Sequence, residues 1–184
     1  PSNFIEILAE SIHTTFITQS QFGTFKLESD DVHLDIATAR SESYSEPGTL
    51  PVVTPSNIVQ DLNRRDFSLN AMAVSLSDAS WGKLLDPFDG RKDLREGVIR
   101  VLHPNSFIDD ATRILRAIRY LVRMNLRLEL KTKRFLQRDL HYLNSISGDR
   151  LRRELELILS DPKVSTLLSA AEKLKILVAV HPAL

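Results

Sequence analysis

One stretch constrains this chain more than any other: Ala111-Thr112-Arg113-Ile114-Leu115-Arg116-Ala117-Ile118-Arg119-Tyr120-Leu121-Val122-Arg123. At about 100° per residue, Ala111, Ile114, Leu115, Ile118, Leu121 and Val122 gather in one arc. Arg113, Arg116, Arg119 and Arg123 gather in the opposite arc, with Asp110 one turn before Arg113 at its edge. The apolar arc must be buried, so the segment is a helix on a core. Past Arg113, the arginine arc has no acids four residues away, so it repels itself unless an anion lies against it. Asp109 and Asp110 at the start of such a helix cap its free N–H groups and favour its dipole.

The rest of the chain divides around this helix. From Pro104 onward there is one glycine, Gly148, and the apolar spacing predicts helices over 109–125, 131–141, 148–160 and 163–179. Before it, Phe4, Ile5, Leu8, Ala9 and Ile12 predict a short amphipathic helix. Residues 24–27 and 32–37 alternate and predict a hairpin across the polar turn Glu28 to Asp31. Residues 41–57, with Pro47, Gly48, Pro51 and Pro55, read as a loop, and Ser56 is the expected N-cap of a helix opening over 57–73. Asp86-Pro87-Phe88-Asp89-Gly90 reads as a turn. Strands with helices in front and helices alone behind predict an α+β fold. A mixed-sheet head covers residues 1–103 and an all-α neck covers 104–184.

Charge follows the same division. Residues 1–100 carry 9 Lys+Arg against 15 Asp+Glu, whereas residues 101–184 carry 15 against 9. A basic helical half after an acidic half points to a polyanionic partner. With no cysteine, a disulfide scaffold, a cysteine-ligated zinc site and a thiol nucleophile are excluded. No run approaches the ~18 apolar residues of a membrane span. The expectation is a soluble, cytoplasmic protein without membrane contact.

Two further segments carry chemistry. In Arg64-Arg65-Asp66-Phe67-Ser68-Leu69-Asn70-Ala71-Met72-Ala73, adjacent guanidiniums can clamp phosphate oxygens, and the neighbouring carboxylate can accept hydrogen bonds from ribose hydroxyls. Asp35 sits between Leu34 and Ile36 on a predicted strand, so it faces either solvent or an active site. An Asp and an Arg held together, as at Asp110 and Arg113, supply the acceptor and donor edges that read a base.

In order along the chain, these blocks resemble the class II tRNA nucleotidyltransferase and bacterial poly(A) polymerase family. His33 to Arg40 with Glu42 and Tyr44 comes first, then Pro47 to Pro51. Asp61-Leu62 with Arg64 to Ala73 corresponds to the family's B motif, and Leu85 to Phe88 with Gly90 and Asp93-Leu94 to its C motif. Phe107, Asp109-Asp110 and Thr112 to Tyr120 match the D motif, and Ser147 to Arg150 with Arg153-Glu154-Leu155 the E motif. The resemblance implies template-independent transfer of CMP or AMP from CTP or ATP to the 3′ end of tRNA, with Mg²⁺ as cofactor. It implies nucleotide binding by Arg64, Arg65, Asp66 and Asn70, with Arg65 on the triphosphate and Asp66 at the ribose. Asp110 and Arg113 would pair with the incoming base, and Arg116 and Arg119 would support base and phosphates. The turn from Asp86 to Leu94 would couple head and neck motions, and Asp149 to Glu154 would brace the neck.

The sequence departs from the family pattern at three places. Asp109 stands where Glu is common, and Ala111 where Pro is common. The third departure is the A motif, a Gly-Gly turn with an Asp-x-Asp metal pair, which is absent ahead of the hairpin. Two-metal phosphoryl transfer needs those carboxylates. Asp35 corresponds at most to a third, catalytic or metal-holding acid, and one acid cannot hold two ions. The head is therefore expected to be N-terminally truncated and the chain inactive alone. A truncated chain, a trimmed gene and a partner chain carrying the missing motif are the open readings. Poly(A) addition, CC-only or A-only addition, and a non-catalytic RNA-binding module are the competing functions.

Overall fold

The computed structural model describes residues 2–14, 16–19, 24–29 and 33–184. The chain forms two compact units, one of residues 1–42 and 53–61, the other of residues 43–52 and 62–184. The head–neck boundary expected near residue 103 falls inside the second unit.

In the first unit, α1 (Ser2–Ser11) precedes three antiparallel strands, β1 (Phe16–Gln19), β2 (Thr24–Glu28) and β3 (His33–Ala37), in the order β1-β2-β3. The register pairs Phe25 with Ile36, Lys26 with Asp35 and Leu27 with Leu34. The hairpin expected over 24–37 is this β2–β3 pair, and the centre of its turn, residues 30–32, lies outside the described residues. Ile5, Ala9 and Leu27 are buried, with Leu8, Ile12, Phe25 and Ile36 packed around them. One face of α1 and alternate residues of β2 thus close a small core.

The expected loop over 41–57 contains a strand pair instead: β4 (Arg40–Ser43) and β5 (Val52–Pro55). The Ser56 N–H donates to the Ala39 carbonyl at 2.9 Å, and Pro55 ends its strand, the place where a missing N–H costs the ladder least. The helix expected over 57–73 also differs. It is α2 (Ile58–Asn63), capped by Asn57, whose Oδ1 accepts from Gln60 N at 3.0 Å, rather than by Ser56.

In the second unit the chain after α2 leaves the helical path because tertiary bonds outbid local ones. Phe67 is extended and fully buried, and Ser68 donates its N–H to Arg100 O at 2.9 Å and its Oγ to Asp93 Oδ2 at 2.5 Å. A 3-10 turn over Ser68–Asn70 follows. Next come the short strands β6 (Ala73–Val74) and β7 (Leu84–Leu85), paired antiparallel. α3 (Gly90–Glu96) begins where Asp86 accepts the N–H groups of Gly90 and Arg91 at 2.7 and 3.0 Å. β8 (Val98–Ile99) leads to α4 (Ser106–Asp109), α5 (Thr112–Arg123) and β9 (Arg127–Leu128), and β8 pairs with β9 in parallel.

The helix expected over 109–125 is broken at Asp110, which is extended. Its Oδ1 accepts from Thr112 N at 3.0 Å and Thr112 Oγ1 at 2.6 Å, so the carboxylate ends α4 and starts α5. The remaining helices are α6 (Leu130–Asp139), α7 (Gly148–Leu159), α8 (Val164–Lys173) and α9 (Ile176–Val180). The single helix expected over 163–179 divides at Lys175, which has φ 59°. Ile114, Leu115 and Ile118 of α5 are buried with Phe67, Phe107, Leu136, Leu143, Leu167 and Ile176. The apolar arc of α5 is therefore the spine of the core, as its period requires.

Candidate nucleotide-reading site

The site in the second unit is assembled by burying that spine. Docking α5 by its apolar arc aims its arginine arc at the segment after α2 and at α7. There the missing acids are found. Asp66 Oδ2 lies 2.6 Å from Arg116 Nη2, and Asp66 Oδ1 lies 3.4 Å from Arg113 Nε. Glu154 of α7 lies 3.0 Å from Arg119 Nη1 and 3.8 Å from Arg116 Nη1. Arg123 Nε meets Asp161 Oδ2 at 2.6 Å. The stripe that lacks acids at helical spacing receives them from 35 and 38 positions away for Arg119 and Arg123.

Arg113 does not lie on an open basic face. It is only 3% exposed and donates Nη1 to Ser106 O at 3.2 Å and Nη2 to Arg64 O at 2.6 Å. Three partners offset the cost of taking a guanidinium out of water. Arg116 is half-buried. Burial works to lower its pKa, but attraction to Asp66 and then Glu154 outweighs this and holds it above the ordinary arginine value.

Each residue anticipated from the sequence can now be placed. Arg64 contributes its carbonyl to Arg113, and Arg65 is exposed at the end of α2. Asn70 Nδ2 donates to Tyr120 Oη at 3.2 Å, while its Oδ1 is buried without a hydrogen-bond partner. Tyr120 also meets Phe67 edge-on, with ring centroids 5.6 Å apart. Asp110 accepts from Arg150 Nη2 at 2.8 Å as well as from Thr112. Tyr120 and Arg150 lie within the D and E blocks read from the sequence, whereas Asp161 is a part of the site that no block includes. Asp110 and Arg113 are both engaged, by different partners.

The segment carrying Asp66 is anchored from behind. Asp93, fully buried, accepts from Ser68 Oγ and from Arg100 Nε and Nη2 at 2.9 and 3.0 Å. The Asp93 hydrogen bond is the main cause that raises the Arg100 pKa above its ordinary value. At the N-terminal side of Asp110, His103 Nε2 lies 3.7 Å from Asp109 Oδ2. Burial pushes the His103 pKa down, against the pull of Asp109, and pushes the Asp109 carboxyl up.

Asp35 stands in the first unit, and its side chain is 68% exposed with Lys26 Nζ at 4.0 Å. Among the described residues no three His, Cys, Asp or Glu side chains converge as metal ligands do. A lone carboxylate beside a lysine does not fit a two-metal centre. Among the described residues no helix is long and apolar enough to cross a membrane.

The chain is similar to known proteins over most of its length. Residues 1–100 match the Poly A polymerase head domain family. An A-adding tRNA nucleotidyltransferase of Halalkalibacterium halodurans is 45% identical over 150 residues, which is 79% of this chain and 34% of that protein. The chain thus spans about a third of that curated relative. A solved CCA-adding enzyme in its apo form II superimposes with a TM-score of 0.91 at 39% identity, covering 98% of this chain and 43% of the other. A tRNA nucleotidyltransferase solved with a primer tRNA and an incoming ATP analog superimposes with a TM-score of 0.84 at 35% identity, covering 97% of this chain and 50% of that one.

Proposed function

Because the chain belongs to the class II tRNA nucleotidyltransferase family, which shares its head domain with poly(A) polymerases, we propose that it is the base-selecting part of an enzyme that adds CMP or AMP to the 3′ end of tRNA. CTP and ATP are the nucleotide substrates of this reading, and a tRNA 3′ end is the acceptor. Such a substrate puts the work in the cytoplasm. The observation that carries the reading is the meeting of Asp66 with Arg113 and Arg116 of α5, at 3.4 and 2.6 Å.

The chemistry follows from the bases. Cytosine and adenine each present an amino donor beside a ring-nitrogen acceptor, whereas guanine and uracil present the reverse. A carboxylate accepts only and a guanidinium donates only. In this reading Asp110 and Arg113, three positions apart in the chain, together complement C and A and oppose G and U. Reading a base requires Arg113 to exchange a carbonyl partner, Arg64 O or Ser106 O, for the base acceptor. In this reading, by the family resemblance, Arg65 takes the triphosphate, Asp66 and Asn70 face the ribose, and Arg116 and Arg119 support base and phosphates. The head–neck division at 103/104 belongs to the same proposal. A divalent ion, Mg²⁺ by the family resemblance, is a requirement of the reading that Asp35 alone does not meet, and no step is routed through it.

The test is incorporation of labelled CTP, ATP, GTP and UTP onto a tRNA transcript lacking CCA, with the chain alone and with an added family A-motif segment. The expected outcome is activity only in the complemented assembly. There Arg113→Ala and Asp110→Asn lower the preference for CTP and ATP. Unchanged discrimination in both variants removes the base-reading role. The ratio of CTP to ATP incorporated separates CCA addition from CC-only, A-only and poly(A) addition. RNA binding without incorporation in either arm supports the non-catalytic module instead.

A further inference from the structure

The arginine stripe continues past the residues assigned to the base. Beyond Arg113, a cavity of about 330 Å³ opens between α5 and α7, with Arg116, Arg119, Arg123 and Arg153 among its walls and Tyr120 as an aromatic wall. Ion pairing does not balance these cations. The four wall arginines, Arg116, Arg119, Arg123 and Arg153, face three acids, Asp66, Glu154 and Asp161, of which Asp66 is also paired with Arg113 and Glu154 is shared by Arg116 and Arg119. Arg153 is exposed and has no acid partner among the described residues. The Nε atoms of Arg116 and Arg119 are buried without a hydrogen-bond acceptor. Buried guanidinium donors left open in this way cost stability unless an anion completes them.

We propose that this cavity is a phosphate site, in which Arg153 and Arg123 grip the oxygens of a polynucleotide backbone phosphate beyond the base-reading residues. Guanidinium forks suit phosphate because two parallel N–H bonds meet two oxygens. At 1.5 Å per residue, Arg123 lies about 15 Å along α5 from Arg113. A strand held here is therefore fixed at a distance from the base site rather than within it. The inference rests on the proposed function only for the source of the phosphate. The shared chemistry, an oxyanion on an arginine surplus, also accommodates a free polyphosphate.

The test is fluorescence anisotropy with the full chain, using a labelled acceptor-stem RNA lacking CCA, and separately inorganic tripolyphosphate as competitor, across a salt series. Arg153→Ala and Arg123→Ala are each expected to weaken RNA binding by about fivefold to tenfold and to reduce the salt slope by about one counterion. Arg153→Lys, which keeps a point charge, should restore part of the loss. Arg-dependent RNA binding without competition by tripolyphosphate assigns the site to the backbone. Arg-dependent competition assigns it to free polyphosphate and keeps the phosphate site. An affinity and slope unchanged in Arg153→Ala and Arg153→Glu, or an unmodified chain that binds neither probe, overturns the site. Failure of the base-reading proposal appears elsewhere, in nucleotide discrimination, so the two failures are distinguishable.

Discussion

Arg113 and Asp66, 47 positions apart in the chain, meet with Arg113 Nε 3.4 Å from Asp66 Oδ1, and Arg113 is almost wholly buried there. This contact joins the polar segment after α2 to the first turn of α5. Removing one member of a buried pair leaves the other uncompensated. Arg113→Ala is expected to destabilise the chain by about 3 kcal/mol, and Arg113→Lys by less. Urea denaturation of the purified variants measures both, and loss in Arg113→Ala within about 0.5 kcal/mol of zero would contradict the pairing.

The Asp93–Arg100 pair behaves differently because Asp93 is the inaccessible partner. Asp93→Ala strands the buried Ser68 hydroxyl and leaves the Arg100 guanidinium with Glu129 alone, 3.8 Å away. A loss of about 3–5 kcal/mol is expected. Arg100→Ala leaves a fully buried carboxylate and should cost a similar amount, read as a drop in the denaturation midpoint at unchanged slope.

Gly90 opens α3 against the 3-10 turn that follows Asp66. A Cβ there would lie 2.3 Å from the Ser68 carbonyl oxygen and 3.0 Å from Met72 Cγ and Sδ. Met72 can move, but the Ser68 backbone is held by Arg100 and Asp93. Gly90→Ala is expected to cost about 1–3 kcal/mol through overpacking, measured by thermal unfolding.

His103 gives a pH dependence with a definite sign. Burial holds its folded pKa below the ordinary 6.5, so the unfolded chain binds more protons between the two values. Stability is fully present above pH 6.5 and falls as pH drops through the folded pKa. Glu129 and Asp161, whose pKa values are lowered, contribute losses only below 4.5 and 3.8, while Asp109, whose pKa burial raises, opposes the His103 trend as pH falls toward its folded value. Denaturation midpoints between pH 8 and 5.5 should therefore decline in the parent chain and stay flatter in His103→Gln. An equal slope in both would remove His103 from the linkage.

The two short strands β4 and β5 show where reading by composition misleads. Pro and Gly density marks residues 41–57 as a loop, yet proline is compatible with a strand end, and the pairing partner is not written locally. The early end of α2 has a similar cause. Nothing in residues 64–73 signals that Ser68 will bond to Arg100 and Asp93, which lie 32 and 25 positions away.

What the amino-acid order determined by itself is local and periodic. The apolar arc of α5, the capping acid at Asp110, the helical second half and the β2–β3 hairpin all follow from spacing, because backbone geometry sets side-chain direction over a few residues. The ordered motif blocks carried the family resemblance in the same way. What only the tertiary structure decided is the electrostatic fate of the arginine stripe. Burying the apolar arc turned four arginines toward Asp66, Glu154 and Asp161, buried Arg113 and left Arg153 unmatched. Charges pair through space once hydrophobic faces have docked, and one-dimensional spacing contains no term for acids more than 30 residues away.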